Sequence, residues 1–134
     1  MARTRLAALL LIPLAFMLMG AAVLVDPAPI PVPTKLSAKD VSKAIRSGIV
    51  SRGWVVAKDE KGQIDAVLNV RTHEARVAIN YDTKEVKITY VSSQDLDYDE
   101  KKGERHIHKK YNQWVQNMAN DIRNALASEA ISHE

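Results

Sequence analysis

The order of apolar and polar residues divides this chain into segments of different period. Leu6 to Val25 carries no charge (LAALLLIPLAFMLMGAAVLV) and follows Arg3 and Arg5. Asp26-Pro27-Ala28-Pro29-Ile30-Pro31-Val32-Pro33 then alternates proline with small or branched residues. From Ser37 the period becomes helical. Val41, Ala44, Ile45 and Ile49 share one face behind a Ser37-Ala38-Lys39-Asp40 capping box, which predicts a helix over 37–52 stopped by Gly53.

The period then falls to two. Trp54-Val55-Val56-Ala57 reads as a strand closed by the polar turn Lys58-Asp59-Glu60-Lys61-Gly62. Ile64/Ala66/Leu68/Val70, Ala75/Val77/Ile79/Tyr81 and Val86/Ile88/Tyr90 each alternate with residues such as Asp65, Arg76 and Lys87. Thr72-His73-Glu74 and Asp82-Thr83-Lys84 are connections short enough only for antiparallel hairpins. Ser92 to Arg105 is polar apart from Leu96 and Tyr98 and predicts an ordered loop. His106 to Leu126 returns to the helical period through Ile107, Tyr111, Trp114, Met118, Ile122 and Ala125. The expected fold is therefore α+β, in the order α-β-β-β-β-α. It would be a two-layer sandwich, with two helices covering one face of a four-stranded antiparallel meander.

The amino terminus changes the picture most. A basic start followed by a long apolar run is an export signal, and twenty residues are also enough for an uncleaved membrane anchor. Gly20-Ala21-Ala22 supplies the small residues for cleavage after Ala22, while the apolar run to Val25 suits an anchor, so both fates stay open. In either case the domain is expected outside the cytoplasm, periplasmic or tethered to the inner membrane by residues 6–25. The chain divides accordingly into residues 1–25 (signal peptide or signal anchor), 26–36 (a Pro-rich polyproline II linker), 37–131 (one domain) and 132–134 (a tail).

With no cysteine, disulfides, thiolate metal sites, cysteine nucleophiles and lipid attachment at a lipobox are excluded. Nineteen basic against sixteen acidic residues give a formal charge of +3, too weak a balance to point to nucleic acid. Lys101, Lys102, Arg105, Lys109 and Lys110 form a local basic run offset by Asp97, Asp99, Glu100 and Glu104. It reads as a solvated surface or one facing anionic lipid head groups.

Several stretches together resemble a group of small bacterial envelope proteins, many of them lipoproteins with no assigned activity. They are Arg52-Gly53-Trp54, Arg71-Thr72-His73-Glu74-Ala75, Ile88-Thr89-Tyr90, Ser93, Leu96, Tyr98, Ile107-His108, Tyr111-Asn112 and Trp114-Val115-Gln116-Asn117. The resemblance spans roughly Val41 to Ile122 and implies an exported, usually membrane-tethered domain. The chain departs from the lipoprotein pattern at Leu18-Met19-Gly20-Ala21, where alanine stands at the lipid-bearing position.

No serine elbow or diagnostic His–Asp spacing suggests a hydrolase, and no enzyme activity or cofactor is expected. His106, His108 and His73 raise a metal site, but a structural zinc needs four ligands, so no metal is expected. The remaining candidates are aromatic. Tyr98, His108, Tyr111 and Trp114, with His73 and Tyr90 beside them, are expected to line a cleft where the polar loop meets the last helix. Such a cleft would take a small ligand or an envelope protein partner, which makes the chain an envelope-associated binding module; the alternative is a structural or assembly accessory of a larger envelope complex.

Overall fold

The computed structural model describes residues 20–134; the arginines and most of the apolar run read as an export signal lie outside the described residues. The elements are β1 (Ala21–Val23), β2 (Ile30–Pro31), α1 (Ala38–Val50), β3 (Val55–Glu60), β4 (Gln63–Val70) and β5 (His73–Tyr81). They continue with β6 (Glu85–Gln94), β7 (Asp99–Lys101), β8 (Glu104–His108) and α2 (Lys109–Ser132). None of the described helices is long and apolar enough to cross a membrane.

The fold is α+β, with two helices and two antiparallel sheets. The expected meander is present as β3–β4–β5–β6, but a fifth strand extends it, in the order β2-β6-β5-β4-β3, and β1-β8-β7 forms a separate three-stranded sheet. The fifth strand corrects the linker reading of 26–36. Ile30 pairs with Val86, the Val32 amide donates to the Lys84 carbonyl, and Ile30 and Leu36 are buried in the core. Proline is tolerated there because β2 is an edge strand, where a missing N–H leaves no ladder bond broken.

α1 forms where its cap predicts. The Ser37 hydroxyl accepts from the Asp40 amide at 3.1 Å and the Asp40 carboxylate accepts from the Ser37 amide at 2.9 Å, the reciprocal capping box. Gly53, at φ +89°, ends the segment in the left-handed region as expected. Trp54 is buried ahead of β3 rather than within it, and β3 runs on to Glu60 because a bulge between Val56 and Lys58 lets the exposed edge strand curl.

Hairpin β4–β5 is tighter than expected: Val70 pairs with His73 across the two residues Arg71 and Thr72, so His73 and Glu74 are strand residues. Val91 is the extra residue of a bulge in β6, between Tyr90 opposite Val77 and Ser92 opposite Arg76. The apolar face of the five-stranded sheet (Ile64, Ala66, Leu68, Ala75, Val77, Ile79, Val86, Ile88) shares one core with Val41, Ile45 and Ile49 of α1 and with α2.

The largest departure is at the last helix. His106, Ile107 and His108 belong to β8, and α2 starts at Lys109 and runs to Ser132, absorbing the start of the expected tail. The polar stretch 92–105 is not a loop: it contains the end of β6, then β7, the turn Lys102-Gly103 with positive φ at both residues, and the start of β8. Ile107 enters the core from β8 and Leu96 from the connection between β6 and β7. The buried stripe of α2 is consequently Tyr111, Val115, Met118, Ala119, Ile122 and Leu126, which moves Trp114 from the centre of the stripe to its flank.

Candidate functional site

All six aromatic and imidazole candidates gather where α2 begins, in two groups. Tyr90 stacks on Tyr98 with ring centroids 4.6 Å apart and meets the edge of Tyr111 at 5.6 Å. Tyr111 is fully buried, Tyr90 half-buried and Tyr98 exposed on one side, so the three rings run from core to surface. Burial pushes the Tyr111 phenol well above its ordinary pKa, with the Asp26 carboxylate adding to it. Burial followed by Glu100 pushes Tyr98 up. The Tyr90 hydroxyl is hydrogen-bonded to Ser93 Oγ at 2.8 Å. These contacts make the tyrosine group mostly architecture, with Tyr98 its accessible end.

The second group is His73, His108 and Trp114. The His73 ring lies 6.5 Å from His108 and 6.4 Å from Trp114. His73 Nδ1 donates to the Asp95 carbonyl at 2.5 Å, so in the neutral ring Nε2 is an acceptor. His108 is the N-cap of α2: its Nδ1 accepts from the Lys110 amide at 3.1 Å, so its Nε2 carries the proton and donates. Neither Nε2 has a protein partner among the described residues, which leaves one acceptor and one donor in this group, the acceptor on the ring beside Trp114.

Two residues in this corner occupy the left-handed region without being glycine. Arg71 (φ 56°) opens the β4–β5 turn and Asp95 (φ 57°) follows β6. Thr72 Oγ1 donates to the Asp95 carboxylate, tying the two turns together beneath His73. Strained backbone held in place by such contacts is a feature of binding and catalytic corners.

Trp114 also forms one wall of a groove of about 340 Å³, lined by Arg52, Trp54, Leu68, Val70, Trp114 and Asn117. Arg52 is anchored by Asp121 at 2.6 Å. The chain has two tryptophans, and both line this groove. Arg52, Trp54, Leu68, Val70 and Asn117 are not among the sequence-derived candidates. The one legible signal was the three-residue step from Trp114 to Asn117, which puts both on one helix flank.

The polar stretch expected to border a cleft with α2 forms strands, and Tyr90, Tyr98 and Tyr111 pack on one another there, while Trp114 lines a groove with Leu68 and Val70. A larger open cleft of about 930 Å³ lies at the opposite end of α1, between Lys39, Ser42, Lys43 and Arg46 and the hairpin tips at Lys61, Gly62, Tyr81 and Asp82. Its acidic groups are already engaged: Asp59 pairs with Arg46, Asp82 accepts from the Lys84 and Glu85 amides, and Asp40 caps α1. We place the candidate site at the smaller groove, which is walled by both tryptophans and which Trp114 joins to the His73 ring 6.4 Å away.

His73, His106 and His108 do not bring their ring nitrogens together, since His106 Nε2 faces Glu104 at 2.8 Å and His108 caps α2. Among the described residues, the metal-ligating atoms that cluster are those of Asp40, Glu129 and His133. Asp40 and Glu129 also hold His133 (3.3 and 3.6 Å), and Glu129 reaches Lys43 at 3.5 Å, which ties the end of α2 to the start of α1. No protein-family model, curated protein or solved structure matches the chain.

Proposed function

We propose that this protein is an exported, envelope-associated binding module that acts without catalysis. Its ligand-binding site is the groove between Trp54 and Trp114 together with the His73–His108 corner. The observation that carries this reading is that Trp114 is shared: it walls the groove, and its ring lies 6.4 Å from that of His73, whose Nε2 accepts while that of His108 donates, neither with a protein partner among the described residues. A groove of about 340 Å³ lies at the small end of ligand sites, and apolar walls with a few fixed polar groups are their usual chemistry. A compact ligand bearing hydroxyl or amide groups fits that donor–acceptor pair. The export signal read from residues 1–25 and the resemblance to envelope proteins support the location.

Because both tryptophans line the groove, intrinsic fluorescence reports on it directly. Titration with soluble cell-wall fragments is expected to change the emission saturably, and a Trp114→Phe variant should lose most of that response. Flat titrations across such fragments would refute the ligand class. A second reading, docking of another envelope protein, is favoured by the exposed Val50 at the end of α1 and the exposed Val55 and Val70 on β3 and β4.

A further inference from the structure

The residues at the end of the apolar run serve two incompatible purposes, and the structure shows which of them the fold uses. An anchor needs Leu6 to Val25 in the bilayer, roughly twenty residues for a hydrocarbon core of about 30 Å. Ala21–Val23 are instead strand β1, and Leu24 is buried in the core. Residues 6–19 alone, at about 1.5 Å per residue, would reach only about 21 Å as a helix. That length suits the apolar region of a cleavable signal and falls short of a span.

The contacts on either side of Ala22 are unequal. Before it, the Gly20 carbonyl accepts from the Lys109 amide at 3.0 Å, and Ala21 and Ala22 pair with His108 and Ile107 on an edge strand. After it, Asn112 holds the chain with both ends of its amide: Nδ2 donates to the Val23 carbonyl at 2.8 Å and Oδ1 accepts from the Val25 amide at 3.1 Å. The Leu24 amide donates to the Arg105 carbonyl at 2.8 Å. Asp26 accepts from the Tyr90 amide at 3.2 Å and from Arg105 at 3.3 Å.

We infer that the leader is removed by hydrolysis of the Ala22–Val23 bond, and that the Asn112 side chain is the docking site for the new amino terminus. This rests on the export reading above. Water adds across the peptide bond, leaving a carboxylate on Ala22 and an ammonium on Val23, and the reaction is the work of the leader peptidase of the export machinery. The mature chain keeps Leu24 in the core and stays fastened by Asn112, Arg105 and Tyr90. Residues 20–22 contribute edge pairing and one acceptor for the Lys109 amide, and none of their side chains is in the core, so the fold survives their loss.

The test is intact-mass analysis of the full-length chain recovered from the soluble periplasmic, membrane and cytoplasmic fractions of a bacterial host. A soluble periplasmic species beginning at Val23 is expected. A membrane-bound chain beginning at Met1 overturns the inference and leaves export standing; an intact cytoplasmic chain overturns the export reading as well. A soluble chain beginning at another residue overturns the cleavage position. In the mature protein, Asn112→Ala is expected to speed hydrogen exchange at the Val25 amide roughly tenfold or more. Exchange in the middle of α2 should stay unchanged. Unaltered exchange at Val25 would overturn the docking role of Asn112.

Discussion

Gly48→Ala sets two effects of similar size against each other, and the structure decides between them. Gly48 lies in α1, and a glycine inside a helix costs about 1 kcal/mol relative to alanine, so propensity alone predicts stabilisation. The added methyl, however, would meet Ile122 Cα and N at 3.1 Å and the Asp121 carbonyl carbon at 3.2 Å. Those are main-chain atoms in the middle of α2, which can yield only if the two helices move apart by a few tenths of an ångström. Ile122 is fully buried beside Met118 and Leu126, so such a shift disturbs the core as well. Overpacking of this kind costs about 1–3 kcal/mol; at about 2 kcal/mol it outweighs the propensity gain of about 1 kcal/mol, for a net loss of about 1 kcal/mol. In a domain of this size that is a fall in Tm of roughly 4–8 °C. Urea unfolding followed by circular dichroism should show a lower midpoint with an unchanged slope. A variant as stable as the parent, or more so, would refute the claim that Gly48 is where the two helices touch.

Ile30→Ala should cost about 3 kcal/mol in the same assay, because the residue is a wall of the core; a spacer residue would cost nothing measurable. Arg71→Gly should stabilise the fold by about 1 kcal/mol by removing a left-handed non-glycine residue, and no gain in thermal melting would contradict the strain argued for that turn. Ser37→Ala should lose about 1 kcal/mol with the N-cap, read from the urea midpoint at pH 7. Hydrogen bonds from the Ser37 amide and then its hydroxyl hold the Asp40 carboxyl below its ordinary 3.8, with His133 adding to the effect. A depressed folded value means that the contribution is complete above pH 4 and is lost as the pH falls through the folded value. Asp40→Asn should therefore destabilise less at pH 3 than at pH 7, and an equal loss at both would refute it.

The meander, α1 and its cap were legible in the sequence because local signals and burial agree there. Ile64 to Ile88 alternate with a clean period of two, and Ser37 and Asp40 have one good use. The five-stranded extension was hidden because Pro27 to Pro33 carries the composition of a spacer. Only a partner strand with a free edge, β6, reveals that Ile30 is a core residue. The start of α2 was misplaced because Ile107 continues the helical period by chance while pairing with Ala22 in a strand, and because histidine is an unusual N-cap. Those two facts also explain the site. Tyr98, Tyr111, His73, His108, Trp114 and Tyr90 do gather at one end, yet the groove opens on the flank of Trp114, toward Leu68 and Val70, which read only as strand positions. Which flank of a helix meets which strand end is a tertiary fact that spacing alone does not carry.

The central claim is that the groove between the tryptophans, rather than the larger cleft at the far end of α1, is where this protein binds. A chemical-shift map of the isotope-labelled protein titrated with soluble cell-wall fragments tests it most directly. Saturable shifts at the Trp54 and Trp114 indoles, Asn117 and His73, with Tyr81, Lys43 and Gly62 unmoved, are the predicted result. Shifts confined to Tyr81, Lys43 and Gly62 would contradict it.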